Sequence, residues 1–487
     1  MNKPIPIYKG TTCVRIGIDS NNPAALYLKG LANKVLTDME FDPRYKRMVP
    51  TKRYAKYDST NQILYLPVNL TQDVVDMFID LGYDYQLIEE PWYEMRTLTV
   101  KMKDSFTPRP HQIPAIEYLK QIKPYRKGLA IQTGSGKTVS SIAGAIAYGR
   151  PFMIVVSRLH YQWLESVLQF TNARQDQLAV IQGFDSLFKI IESDNKPEIF
   201  IFSLETLRAY CHHEGHYAEL PTFAKFCEYF GIGTKIMDEV HLNFHADTLI
   251  DLSCNIPNNI YLTATFTSGN KSTRKIFNII YPPEMRFGEG VTKKYTVAYC
   301  YGYRGDVPEK KVVKQRGYSH IKYEQYLLKR PTFLQDYLGR IISQLVYSHY
   351  INKKKDGQKL AVFFSTIEMV NEAYKWFKSQ FKDLKITKFI GGTSDDVLKT
   401  NDIIITTPKS MSVGTDVKNL LVVINTVSTK SPTAVLQICG RLREIPGTTT
   451  EFIEMCDINL MSHKRHQRER EQILRPTVVE YKKCMIC

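Results

Sequence analysis

The run Gln132-Thr133-Gly134-Ser135-Gly136-Lys137-Thr138 follows an apolar segment, Gly128–Gln132, and precedes a stretch of small residues, Val139–Tyr148. Glycines at 134 and 136 let successive backbone N–H groups turn toward one point, and a helix starting just beyond them adds partial positive charge at its amino terminus. A strand, a glycine-rich turn and a helix in that order form a phosphate cradle, built on a parallel α/β sheet. Thr133, Gly134, Ser135 and Gly136 are expected to line it, Lys137 to reach the β and γ phosphates of ATP, and Thr138 to bind Mg²⁺. The fuller G-x-x-x-x-G-K-T pattern is not met, because Ile131 stands where its first glycine would be.

About 100 residues downstream, Ile236-Met237-Asp238-Glu239-Val240-His241 is an apolar strand running into paired carboxylates. Two adjacent acids at a buried strand end are costly unless a cation or hydrogen bonds compensate. Phosphoryl transfer supplies both a Mg²⁺ and a water to orient. Asp238 is the metal-side candidate and Glu239 the base or water-positioning candidate.

The rest of the pattern agrees with a parallel sheet. Gly128–Gln132, Phe152–Ser157, Glu198–Ser203, Ile236–Asp238 and Tyr261–Thr263 read as buried strands separated by helical stretches. A second series starts near Lys359, with strands at Leu360–Ser365, Lys385–Ile390, Ile403–Thr407, Leu421–Asn425 and Glu451–Cys456 and a helix from Pro432. Before the first series, β-like runs at Thr12–Ile18 and Gln62–Pro67 and an amphipathic helix Thr71–Leu81 suggest a small domain of its own. A chain of 487 residues at about 150 per domain allows roughly three. The divisions expected are 1–100, 101–290 and 291–487, with the crossing near Gly288–Lys294. A helix is expected over Pro331–Tyr350.

Lysine and arginine total 65 against 49 acids, a formal charge of +16, which favours a polyanionic partner. No apolar run approaches the roughly 18 residues that span a bilayer, and the amino terminus has no signal-peptide core, so a cytoplasmic location is expected (the host cytoplasm for a phage-encoded chain), with no membrane partner and a monomer. The nine cysteines have no framework spacing and read as reduced thiols. The terminal Cys484/Cys487 pair reads as a frayed tail, Cys211-His212-His213 with His216 as a polar loop, and His463–Arg468 as a solvated basic helix face.

Taken together, these residues resemble superfamily 2 helicases of the DExH type, from about Phe106 to Cys456. Phe106, Arg109 and Gln112 look like the adenine-reading segment of such enzymes. Arg158 and Thr206 fall in segments similar to their strand-contacting motifs of the first lobe, and His241, Thr263 and Thr265 in those that couple ATP to strand movement. In the second lobe Ser365, then Ser410 through Gly414 and Asp416, fall in similar motifs, and Gln437-Ile438-Cys439-Gly440-Arg441-Leu442-Arg443 resembles the terminal Q-x-x-G-R-x-x-R motif. The resemblance implies two tandem RecA-like lobes preceded by a small α+β domain, with ATP and Mg²⁺ as cofactors. Gln437 and Arg441 would serve catalysis, Arg441 as the arginine that neutralises the γ-phosphoryl from a second lobe. The family's second arginine falls on Glu444; whether Arg443 replaces it stays open.

The amino-terminal block interleaves cations with aromatics: Arg44, Tyr45, Lys46 and Arg47, then Arg53, Tyr54, Lys56 and Tyr57. Phosphate neutralisation and base stacking use those residue types. Phe41–Arg47 and Leu81-Gly82-Tyr83 are similar to the amino-terminal domain of tailed-phage branch-migration helicases of the UvsW type. That implies branched DNA as partner, in forks, D-loops or Holliday junctions. An RNA helicase and a double-strand translocase that does not unwind are the alternatives.

Overall fold

The computed structural model describes the chain except residues 1–3, 20–21, 43–45, 132–135, 158–159, 213–219, 264–265, 267–270, 289–293, 315–316, 395, 412–416 and 487. It divides into two compact units, Met1–Val291 and Thr292–Cys487.

The first unit begins with strands β1 (Ile5–Lys9), β2 (Cys13–Gly17), β3 (Thr37–Asp42), β4 (Arg47–Arg53), β5 (Lys56–Asp58), β6 (Ile63–Pro67) and β7 (Tyr85–Glu89). Five of these form a mixed sheet in the order β5-β6-β2-β1-β7, and β3 and β4 pair separately as a hairpin. Strict alternation drives the sheet: Val14 and Ile16 of β2 and Leu64 and Leu66 of β6 are buried on one face. The helix Thr71–Asp80 covers that face with Val74, Val75 and Phe78 and ends near Gly82, as its periodicity predicts.

The first lobe follows, with β8 (Arg126–Ala130), β9 (Phe152–Val156), β10 (Leu178–Ile181), β11 (Ile199–Ser203), β12 (Thr234–Met237), β13 (Asn258–Thr263) and β14 (Arg286–Phe287). All seven are parallel, in the order β10-β11-β9-β12-β13-β8-β14. Every residue of β8, β9, β11, β12 and β13 is buried; β9 and most of β11 are continuous apolar runs, whereas β8, β12 and β13 begin with buried polar residues, Arg126, Lys127, Thr234, Lys235, Asn258 and Asn259. Because β12, β13 and β8 are neighbours, the segments after them emerge side by side at the carboxyl edge.

The second unit holds β15 (Thr296–Tyr303), a short hairpin β16 (Val313–Lys314) and β17 (Gly317–Tyr318), then β18 (Lys359–Phe363), β19 (Ile386–Phe389), β20 (Ile403–Thr406), β21 (Leu420–Asn425), β22 (Thr450–Asp457) and β23 (Glu480–Met485). Its seven-stranded parallel sheet runs β19-β20-β18-β21-β22-β15-β23. Numbered within each lobe, both sheets have the order 3-4-2-5-6-1-7. The two lobes are thus tandem RecA-like folds with one topology, a correspondence no sequence repeat reveals.

The tail, the basic helix face and the polar loop differ from expectation, and the helix over Pro331–Tyr350 is present. The carboxyl-terminal segment is not a frayed tail: Glu480–Met485 pairs in parallel with β15, and Tyr481 is buried. Helix Met461–Leu474 is not a solvated face throughout. His463, His466 and Arg470 line a buried stripe, where Arg470 Nε donates to Glu454 Oε2 at 2.5 Å, while Lys464, Arg465 and Arg468 stay exposed. The expected helix over Pro331–Tyr350 is helical, with π-helical turns at Tyr337–Ile342 and Tyr347–Ile351. Of the predicted polar loop, Cys211 and His212 end the helix Leu204–His212, and His213 and His216 lie outside the described residues. Among the described residues no helix is long and apolar enough to cross a membrane.

Candidate active site

β8 leads to Gly136 and the helix Lys137–Tyr148. Gly136 has φ +89, and a Cβ there would stand 2.0 Å from Gln112 Nε2; left-handed backbone and close approach both require glycine. Gln112 is buried and accepts the Arg109 backbone N–H at 2.8 Å, which fixes its amide against the loop's end. Thr133, Gly134 and Ser135 lie outside the described residues.

β12 ends at Met237, and Asp238 and Glu239 follow. Glu239 has φ 52 and ψ 48, a left-handed conformation that costs a side-chain-bearing residue ~1–3 kcal/mol and marks functional turns. That turn brings Glu239 Oε1 to 3.2 Å from Lys137 Nζ, which donates to it. Asp238 Oδ2 accepts the indole N–H of Trp163 at 3.0 Å. Thr263, at the end of β13, shares a hydrogen bond of 2.7 Å with His241 Nδ1, and that nitrogen is 3.3 Å from Glu239 Oε2. The structure therefore assembles Lys137, Asp238, Glu239, His241 and Thr263 from three adjacent strand ends.

Beside this cluster is a cavity of about 550 Å³ lined by Phe106, Arg109, Gln112, Gly136, Thr138 and Phe170, among others. Phe106 and Phe170 meet edge to face with centroids 5.8 Å apart. Two rings, an amide and an exposed arginine next to a phosphate turn can hold a flat, hydrogen-bonding base. Sequence reasoning missed Phe170, on a helix with no motif, and Trp163, whose bond to Asp238 has no local signature.

Burial, with the neighbouring Glu239 charge added, raises the Asp238 carboxyl to about 6, against the lowering effects of Lys137 and the Trp163 hydrogen bond. Burial lowers the His241 imidazole, the Glu239 charge opposing it. A carboxyl raised to about 6 would carry its charge only above that pH, and Mg²⁺ would bind the ionised form. Mg²⁺ affinity is therefore expected to climb by about ten-fold per pH unit below that point and to level off above it; Mg²⁺ titrations of ATP hydrolysis at pH 5.5 and 7.5 check this. A hydroxyl from Thr138 and a carboxylate from Asp238 are hard oxygen donors suited to Mg²⁺, which keeps most of its shell for water and phosphate. Among the described residues no group of three or more His, Cys, Asp or Glu side chains could hold a metal by itself.

The remaining predicted residues have these settings. Thr206 Oγ1 is buried and accepts the Gly183 N–H at 2.8 Å. The Ser365 N–H donates to Glu324 Oε1 at 2.6 Å, and Ser410 Oγ is 2.9 Å from Thr407 Oγ1. Gln437 is half-buried near the end of helix Pro432–Cys439. Arg441 is buried. Arg443 donates to the carbonyls of Gly440 and Leu442, closing the carboxyl end of that helix. Lys46, Arg47 and Arg53 are exposed at and along β4, whereas Lys56 donates to Ser253 Oγ at 3.1 Å. Tyr54 is 1% exposed, so it is no stacking surface for bases; Tyr57 is 47% exposed. Arg44, Arg158, Thr265, Gly414 and Asp416 lie outside the described residues.

Residues 105–268 match the family model described as Type III restriction enzyme, res subunit. No curated protein matches the chain. Similar solved structures include T4 UvsW, at 16% identity over 100% of both chains with a TM-score of 0.38, and S. cerevisiae Dbp5 bound to RNA and ADP BeF3, at 16% identity over 78% of this chain and 90% of that one with a TM-score of 0.46. The family match thus covers the first lobe, and two parallel-sheet lobes in tandem give the chain an architecture similar to that of superfamily 2 helicases.

Proposed function

We propose that the chain is an ATP-dependent DNA helicase that unwinds or branch-migrates forks, D-loops and four-way junctions. The observation that carries the ATPase part is the 3.2 Å contact of Lys137 with Glu239, beside Asp238 and a base-sized cavity. Lys137 and the N–H groups at the start of its helix hold the phosphates. Thr138 and Asp238 would hold Mg²⁺, which would supply charge neutralisation at the terminal phosphates. Glu239 orients a water and takes its proton; Lys137, 3.2 Å away, balances its charge before phosphate arrives. His241 and Thr263 carry the state of that acid to the end of β13.

One feature favours DNA: the matched family is named for a restriction-enzyme subunit. The exposed cations of β4 suit the phosphate backbone of either nucleic acid. The family name also favours a second reading, a double-strand translocase; displacing a triplex strand without opening a fork would distinguish it. The deciding experiment is an ATPase panel over single-stranded, duplex, forked and four-way DNA and single-stranded RNA. Forked and four-way DNA are expected to stimulate most; stimulation by RNA alone would overturn the DNA reading.

A further inference from the structure

The helix Val240–Asp251, which starts one residue after Glu239, is pinned at three points. In its first turn His241 meets Thr263 and Glu239. In its second turn Phe244 and His245 pack on Tyr54 of the amino-terminal domain, with ring centroids at 4.6 and 5.1 Å. His245 Nε2 is also 2.8 Å from the carbonyl oxygen of Arg53. At its last residue, the Asp251 carboxylate accepts from Lys235 Nζ at 2.6 Å and Tyr261 OH at 2.7 Å, and its carbonyl accepts the Thr12 hydroxyl at 2.7 Å.

Between the first and second points the helix breaks its own geometry. Asn243 has φ −111 and ψ 17, outside the helical range, and its side-chain Nδ2 is shielded from solvent without an acceptor. A joint there lets the segment touching the amino-terminal domain turn against the segment touching the catalytic acid. The residue at the outer end of this path is two-sided. The Arg53 side chain is exposed beside Lys52 on β4, while its carbonyl is held by His245.

We infer that the clasp of Arg53 and Tyr54 on Phe244 and His245 is a coupling device, through which nucleic acid on the amino-terminal hairpin repositions Glu239 and His241. This rests on the helicase reading above. Tyr54 and His245 act as positioning residues: Tyr54 is buried away from any strand, and neither is among the groups assigned to ATP. A merely structural clasp would alter folding, basal hydrolysis and stimulated hydrolysis together. A coupling clasp alters only the ratio of the last two.

The test measures ATP hydrolysis by the full chain with and without a forked DNA, and fork binding by fluorescence anisotropy, for wild type, Tyr54→Ala, Tyr54→Phe and His245→Ala. Tyr54→Ala and His245→Ala are expected to lose about ten-fold in DNA stimulation, the size of a typical coupling between sites. Basal rate and fork affinity should stay within about two-fold, and Tyr54→Phe, which keeps the ring, should retain stimulation. If Tyr54→Ala does not fold, His245→Ala carries the test alone. The inference is overturned if the folded variants are stimulated like wild type, or if basal and stimulated rates fall in proportion. A wild-type chain that no nucleic acid stimulates would instead remove the helicase reading.

Discussion

Replacing Lys137 with alanine is expected to reduce ATP turnover by about 10²–10³-fold, the usual loss when one preorganised donor to a developing oxyanion is removed. Two effects combine. The ammonium that would meet the phosphates is gone, and so is the cation 3.2 Å from Glu239, which leaves two adjacent carboxylates to repel the incoming nucleotide. Lys137 also lowers the Asp238 carboxyl, so its loss makes that acid harder to ionise and weakens Mg²⁺ binding. Nucleic-acid binding should survive and stay salt-sensitive, because the exposed cations of β4 are untouched. Phosphate release, with fork binding at two salt concentrations, separates the two properties; undiminished turnover would refute the site.

Glu239→Gln is expected to lower turnover by about 10²–10⁴-fold with nucleotide binding kept or strengthened. Glutamine has the same length and can still accept from Lys137, so the left-handed turn and its contacts persist. It cannot take a proton from water, and it removes a negative charge from beside the phosphates. Single-turnover hydrolysis and the affinity for a fluorescent ATP analogue check the two halves. Turnover within ten-fold of wild type would show that Glu239 is not the base.

Much of this site was legible in the sequence because its chemistry is local. A phosphate turn needs glycine where the chain is left-handed, and Gly136 supplies it. The acid pair follows a strand buried at every residue, whose apolar end, Ile236-Met237, is visible in the sequence, while the burial of Thr234 and Lys235 is not. Elements whose stability is non-local were not legible. Thr296–Tyr303 lies between β22 and β23 in its sheet, yet its tyrosines and glycine give no clean apolar run, and its partners lie far along the chain. Glu480–Met485 carries Lys482 and Lys483 on an edge strand, where charge is how sheets discourage further pairing, and so it resembles a loop. His463, His466 and Arg470 are a buried helix stripe made of polar residues; each is satisfied by partners from other elements, such as Tyr318 for His463 and Glu454 for Arg470. The same holds for Tyr54. Among cations it reads as a stacking residue, and only the fold reveals Phe244 beneath it.

Strand displacement from a labelled fork tests the central claim most directly, measured with ATP·Mg²⁺, with a non-hydrolysable analogue, and with the Lys137→Ala chain. An ATP-driven DNA motor predicts release of the strand by the wild-type chain with ATP only, and none under the other two conditions. Release that is equally fast with the analogue or with Lys137→Ala, or no release from any branched DNA, would contradict it.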